Sequence, residues 1–335
     1  MTNRSHRFES LLKISHELNY SDDLDSVLDS ILAHARSLTQ AEAGTIYLRE
    51  GDELVFEHTQ NDLLFTSNLD NKNNYQRQRV PANEYSLAGF IALNSQKGQA
   101  HNKVLNIPDV YSLSNTYPFS FDRSFDTANN YRTQSMLATS INNAAGDNIG
   151  VIQIINRKDA KHNTDAFEKD DELVLSSFGD LAAVHIERAK ITKEMILRMI
   201  KMAELRDPKE TGPHANRVGA YSAELYEHWA LKDKLPEAEI KKVKGEYRLA
   251  AMLHDVGKVG ISDTILKKPG PFTKEERTIM QHHTNYGTEL FKYSSSSMDK
   301  LASEISLSHH ENWDGSGYPG NNYNSGLKNE DIPLS

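Results

Sequence analysis

Seven of the 14 histidines in this 335-residue chain fall after residue 200, and most stand beside an acid or at the end of a predicted element. His254 and Asp255 follow an apolar run, just before Gly257 and Lys258. His282 and His283 are adjacent in MQHHTNYG, and His309 and His310 open HHENWDGSGYP. Glu210 and His214 lie four apart in ETGPH. A single His–Asp pair can be structural, with the acid holding one imidazole tautomer. Recurrence of the pattern favours a shared cavity that binds metal. Imidazole nitrogen with carboxylate oxygen suits iron, manganese or zinc better than magnesium or calcium. Two adjacent neutral imidazoles add ligands without adding negative charge, and Asp255 has two oxygens with which to bridge two ions.

These residues need helices to position them. YRLAAMLHDVGKVG predicts an apolar helix ending at Gly257. KEERTIMQHHTNYGTELF and DKLASEISLSHHEN predict two more. Neighbours on a helix point about 100° apart, so only one of His282 and His283 is expected to reach the site. His309 and His310 precede a glycine-rich turn, where both can face inward. Thr211-Gly212-Pro213 signals a helix start, which leaves Glu210 on the loop before the helix of His214. The region after Asp207 therefore reads as all-α.

The first half reads differently. Leu24, Val27, Leu28 and Ile31 form an amphipathic helical stripe. GTIYLRE and ELVFEHT flank Gly51-Asp52 as a hairpin, and SMLATSINNAAGDNIGVIQIINRKD reads strand, turn, strand. An α+β unit with an antiparallel sheet is expected. Between the two units, Ala182, Ile186, Ala189, Ile196, Ile200 and Ala203 repeat at 4, 3, 7, 4, 3 along one helix. That spacing predicts a short parallel coiled coil over 170–205 that joins two chains as a homodimer; the plainer interpretation is one amphipathic helix packed on its own domain.

Net charge is 38 − 47 = −9, which argues against a broad basic surface for nucleic acid. With no cysteine, disulfides, thiolate zinc sites and cysteine nucleophiles are excluded. The opening MTNRSHRFESLLKIS lacks a signal-peptide core, and no run approaches the roughly 18–20 apolar residues of a membrane span. The expectation is a cytoplasmic protein with no membrane segment.

The order helix, GTIYL strand, turn, strand, GVIQIINRKD and closing helix resembles a GAF domain over about residues 8–185. That resemblance implies a small-molecule sensor of unknown ligand, or a dimerisation module. Some cyclic-nucleotide-binding GAF domains carry Asn-Lys, a spacer, Phe, three residues and Asp-Glu. Here Asn156, Arg157, Phe167, Asp171 and Glu172 stand in that order, with arginine for lysine. The plainer interpretation of those residues is an ion pair at a strand-to-helix junction.

HDVGK, MQHHTNYG and HHENWDGSGYP together resemble an HD-GYP domain, a branch of the HD phosphohydrolases, from about Leu205 onward. The expected fold is thus multi-domain: an α+β GAF domain over 1–169, a connecting helix over 170–205, and an all-α HD-GYP domain over 206–335. The resemblance implies hydrolysis of cyclic di-GMP to the linear dinucleotide pGpG or to GMP. By the matching positions it makes Glu210, His214, His254, Asp255, His283, His309 and His310 metal ligands, with His282 outside the set. It implies two or three divalent metal ions, iron or manganese, and glutamate at 210 resembles the subgroup that holds three. Such ions supply an activated hydroxide and neutralise phosphate charge. Lys258 matches a lysine on the scissile phosphate, and Gly317, Tyr318 and Pro319 match the name-giving loop beside the nucleotide. Asp314 and Glu311 are expected either to support the ligands or to cap the turn.

The chain ends at NEDIPLS. In the family this leads into a helix whose Asp completes the metal site and whose basic residues help hold substrate. Two rival functions follow: a catalytically incomplete sensor or dimerisation module, and an HD phosphohydrolase acting on another nucleotide. The Gly-Tyr-Pro stretch argues against the second.

Overall fold

The computed structural model describes residues 2–18, 24–64, 78–94, 104–113, 117–206, 212–293 and 296–320. Glu210 and the closing segment 321–335 lie outside the described residues. The chain divides into two units, residues 1–189 and 190–335.

The first unit is built on an antiparallel sheet. Helices α1 (Thr2–Leu18) and α2 (Leu24–Thr39) lead into β1 (Ala41–Glu50) and β2 (Glu53–Asn61). Their turn carries Gly51 at φ 64°, the left-handed region that favours glycine. The other strands are β3 (Arg79–Pro81), β4 (Val104–Ile107), β5 (Met136–Asn142), β6 (Asn148–Lys158) and β7 (Thr164–Asp165). Short helices α3 (Leu87–Leu93) and α4 (Ser124–Asn129) interrupt them. The strand order is β3-β2-β1-β6-β5-β4, with β7 on β6.

Alternation along the central strands separates two cores. Ile46, Leu137, Ile152 and Ile154 pack with Leu28, Ile31 and Leu32 of α2 and with Leu175 and Phe178. Tyr47, Ala138 and Val151 face the other way, against Ala88, Ile91 and Ala92 of α3. Both faces are therefore covered, and the sheet reads as buried runs rather than polar alternation.

Helix α5 runs continuously from Lys169 to Arg206. Its expected dimer seam is already occupied. Ala182 packs in the first unit's core, and Ile196 and Ile200 pack in the second unit's core. The large apolar residues of α5 that stay exposed are Leu173, Val184, Ile191, Met195, Leu197, Met202 and Leu205. At 100° per residue all of these but Leu197 fall within about 80° of one another, on the opposite face.

In the second unit the described residues form helices and turns only: α6 (Gly212–Lys232), α7 (Glu237–Ala251), a 3₁₀ turn (Val256–Gly260), α8 (Asp263–Leu266), α9 (Lys274–Gln281), α10 (His283–Phe291) and α11 (Ser297–Ser308). Two predicted boundaries need correction. The apolar helix stops at Ala251 rather than Gly257, and His254 and Asp255 sit in the turns beyond it. The predicted helix through MQHHTNYG breaks at His282, whose φ/ψ of −63°/−9° tightens the last turn. Among the described residues no helix is long and apolar enough to cross a membrane.

Candidate metal centre

Three helices of the second unit end at one place. His254 follows α7, His283 follows α9, and His309 follows α11. Each ring is tied back to the turn it leaves. Nδ1 of His254 lies 2.9 Å from the Ala251 carbonyl, and Nδ1 of His283 lies 2.7 Å from the Met280 carbonyl. Nδ1 of His309 lies 3.0 Å from the Ser306 carbonyl and 3.1 Å from that of Ile305. A carbonyl only accepts, so each Nδ1 carries the hydrogen. In a neutral ring, Nε2 then presents a lone pair.

All three Nε2 atoms turn to Asp255. His254 Nε2 is 3.0 Å from Oδ2, while His283 and His309 Nε2 are 3.3 and 3.5 Å from Oδ1. The His283 and His309 Nε2 atoms stand 3.2 Å apart. Oδ1 is buried without a well-formed hydrogen bond. Lone pairs facing each other and an ionised carboxylate at these distances repel unless positive charge lies among them. Burial alone would raise Asp255; hydrogen bonds donated to it by His254, His283 and His309 where Nε2 carries a hydrogen outweigh that and hold its carboxyl far below the usual range.

This donor set fits a metal ion. Ligand atoms from Asp255, His283, His309 and His310 all lie within 4.8 Å of one another, the spread expected around ions with bonds of about 2.0–2.2 Å. The C-terminal ends of α7, α9 and α11 add their partial negative charge, which favours a cation. His310 is pushed down to about 4, by desolvation against its neighbours and then by His309 and His283, so its ring is neutral near pH 7.

The remaining predicted residues arrange themselves around this group. The His214 ring meets His254 edge-on at 5.7 Å, outside the tight four-residue set. His282 is exposed and pairs with Asn285, whereas His283 is 1% exposed. Lys258 Nζ lies 2.9 Å from Asp255 Oδ2. Tyr318 stacks on His310 at 4.5 Å, and the Tyr318–Pro319 peptide is cis. Gly317 is where backbone closes on backbone: a Cβ there would lie 2.4 Å from the Asn312 nitrogen and 2.4 Å from the His310 carbonyl. Burial, then the charge of Asp255, pushes the Tyr318 phenol up to about 12. Asp314 accepts from the Ser316 amide at 2.9 Å and caps the turn, while Glu311 accepts from the Gly320 amide. Both acids hold the loop.

Sequence reasoning did not find the carbonyls of Ala251, Met280 and Ser306 that fix the tautomers. Backbone acceptors leave no signature in residue type. Arg206 was also missed: it donates to the carbonyls of Val259 and Ile261 and pairs with Asp263 at 2.8 Å. The last residue of α5 is thereby clamped to the segment that follows Lys258.

In the GAF-like motif, Asn156 donates to Glu42 at 3.0 Å and to the Arg132 carbonyl at 2.9 Å, and accepts from the Gln134 amide at 2.7 Å. Arg157 pairs with Asp165, Glu168 and Asp171. Asp171, with no exposed side-chain surface, also pairs with Arg7 at 3.0 Å. Its carboxyl is raised by burial, against the opposing pull of the Glu168 amide, Arg7 and Arg157. Phe167 is buried in the core, and Glu172 accepts from Asn106 at 3.1 Å. These residues are spent on internal partners. An open cleft of about 580 Å³ lies nearby, lined by Arg36, Glu42, Asp62, Lys158 and His162 among others.

Fold and site define a chain with an α+β sheet unit followed by a helical unit that gathers histidines and an aspartate as metal ligands are gathered. Comparison with known families gives the same two parts. Residues 23–186 match the GAF domain, and residues 175–335 match the HD domain, so the chain is a GAF domain followed by an HD domain. Among characterised relatives, it is 42% identical over 141 residues to a cyclic di-GMP phosphodiesterase of Thermotoga maritima, covering 42% of this chain and 34% of that protein. It is 39% identical over 150 residues to a 3'3'-cGAMP-specific phosphodiesterase of Vibrio cholerae, covering 45% of this chain and 26% of that one. A cyclic di-GMP phosphodiesterase of Vibrio cholerae is 39% identical over 155 residues, 44% of this chain and 30% of the relative. The chain thus spans only about a quarter to a third of these relatives' length. Among solved structures, the GAF domain of a phosphoenolpyruvate-protein phosphotransferase from Coxiella burnetii is similar with a TM-score of 0.44 at 16% identity, over 57% of this chain and 99% of that one.

Proposed function

We propose that this chain is a metal-dependent phosphodiesterase that hydrolyses cyclic di-GMP to pGpG or GMP. The observation that carries the reading is the convergence of three tautomer-locked Nε2 atoms on Asp255. The relatives' substrates supply the rest. His254, Asp255, His283, His309 and His310 hold two or three ions, with His214 at the margin and Glu210 proposed as a further ligand. Iron or manganese is the proposed metal. Bound there, it supplies Lewis acidity toward water and phosphate oxygens.

The chain's own residues do the remainder. Lys258, now on Asp255, turns its ammonium to a non-bridging phosphate oxygen and offsets charge as the transition state forms. Tyr318 keeps its proton and offers a ring face to a guanine. Gly317 and Pro319 hold that ring in place. Through α5, clamped by Arg206 to the turn after Lys258, the GAF domain regulates the centre in response to a small ligand. Homodimerisation uses the exposed face of α5, and the protein is cytoplasmic.

The test is anaerobic incubation with Fe²⁺ or Mn²⁺ and cyclic di-GMP, with chromatography of products and 3'3'-cGAMP run in parallel. Formation of pGpG or GMP supports the reading. Cleavage of 3'3'-cGAMP alone reassigns the substrate, and metal uptake without any product leaves a sensor or dimerisation module.

A further inference from the structure

The sheet unit holds a second set of donors that neither the HD chemistry nor the GAF-like motif uses. Asp25, Glu57 and His58 offer ligand atoms that all lie within 4.8 Å of one another. Successive residues on a strand ordinarily face opposite sides, so Glu57 and His58 should not meet. A β-bulge brings them together. Tyr47 pairs with Phe56 and Ile46 pairs with His58, which leaves Glu57 as the extra residue of β2. Such a bulge re-aims side chains locally. Phe56 stays with Tyr47 on the α3 face, while His58 shares the α2 face with Ile46.

His58 is the independent sign of a ligand. The residue is 8% exposed, and its Nε2 is buried with no hydrogen-bond partner. A buried nitrogen left unsatisfied in this way is destabilising. The atom looks at Asp25 Oδ1 from 3.9 Å, too far for a hydrogen bond but a separation that an ion can bridge. On the other side of the ring, Nδ1 faces Asp29 Oδ1 from 3.8 Å, likewise beyond hydrogen-bond range, and Gln60 holds that oxygen at 3.1 Å. Asp25 and Asp29 are one helical turn apart on α2, so both acids face the strand. A carboxylate behind the non-ligating nitrogen is the usual support of a metal-bound imidazole.

We propose that Asp25, Glu57 and His58 bind one divalent transition-metal ion, with Asp29 orienting the His58 ring. One imidazole with two carboxylates suits zinc or manganese and leaves a coordination position open. The ion joins the first turn of α2 to the bulge of β2. The proposal is independent of the helical centre and of any phosphodiesterase activity.

The test uses the full chain and Zn²⁺ alone. Wild type, His58→Ala, the pair Asp25→Asn with Glu57→Gln, and His309→Ala are equilibrated with Zn²⁺, desalted and analysed for metal per chain. Expected is one zinc fewer than wild type in both the His58 variant and the acid pair. His309→Ala instead loses zinc from the helical unit only, and adding the acid pair to it removes one more. The acid pair leaves the buried ring in place, so a folding defect does not imitate loss of the ion. Wild-type zinc content in the acid pair overturns the proposal, whatever His58→Ala does.

Discussion

Replacing Gly257 with alanine should empty the histidine cluster while the helices stay folded. Gly257 lies two residues after Asp255, against the start of α10. A Cβ there would sit 1.9 Å from the His283 carbonyl and 2.3 Å from the Gly287 amide nitrogen, where real Cβ contacts stay beyond 3.0 Å. Backbone atoms cannot swing aside, so the turn and α10 must part by at least 3.0 − 1.9 = 1.1 Å. That displacement separates Asp255 from His283. Metal sites tolerate errors of about 0.2 Å in ligand distance, so the shift is several times what the centre can absorb. Overpacking of this kind costs about 1–3 kcal/mol in stability, and an error near 1 Å at a reacting centre costs about 100-fold in rate. Urea unfolding followed by circular dichroism reads the first quantity. Metal content and the rate of cyclic di-GMP cleavage read the others. Gly245→Ala is the control, because nothing lies within 4 Å of its Cβ on the exposed side of α7, and it should gain up to about 1 kcal/mol. A Gly257→Ala chain with wild-type metal content and rate would refute the argument that this close approach positions the ligands.

Further outcomes follow from the same geometry. His283→Ala should lower metal content, whereas His282→Ala should leave it unchanged, as metal analysis of both variants will read. In metal-free protein, Asp255 is held below its ordinary range, so its stabilisation is complete above about pH 4 and fades as pH falls further. Asp255→Asn should therefore flatten the acid side of the stability curve, measured as urea midpoints from pH 7 to pH 3; an unchanged slope removes that assignment. With its phenol pushed up to about 12, Tyr318 stays neutral through the working range. Tyr318→Phe should keep the wild-type pH–rate profile, while Tyr318→Ala raises KM about 10-fold by removing a stacking surface worth about 1–3 kcal/mol per base. Arg157→Ala leaves the fully buried Asp171 with Arg7 as its ion-pair partner and should cost about 3 kcal/mol, read by thermal or urea unfolding.

Much of this was legible in residue order. The hairpin around Gly51-Asp52 and the strand pair around Gly146 were readable because apolar runs and turn residues are local signals. The clustering of His254, Asp255, His283, His309 and His310 was legible from their neighbours, since each group sits at an element end. What escaped was set by geometry that types do not encode. The α7 run looks helical through Val256, yet the chain leaves the helix at Ala251 so that His254 can fold back on the Ala251 carbonyl. On α5, periodicity reported a seam correctly as apolar but could not say what fills it: Ile196 and Ile200 serve their own unit's core. The bulge at Glu57 was invisible for a related reason, because one unpaired residue alters facing without altering composition.

Because each imidazole is fixed to the closing turn of its own helix, the centre has a particular relation to insertion and deletion. A residue added between Lys267 and Phe272, outside the histidine-bearing helices, leaves every donor aimed as before. A residue added within Ser297–Ser308 turns His309 by about 100° and carries its Nε2 away from Asp255. Variants of this chain that keep the centre should therefore differ freely in the length of that connection and hardly at all in the number of residues per helix. Counting residues between the helix starts and their histidines is then a sharper test of a retained site than the histidines themselves.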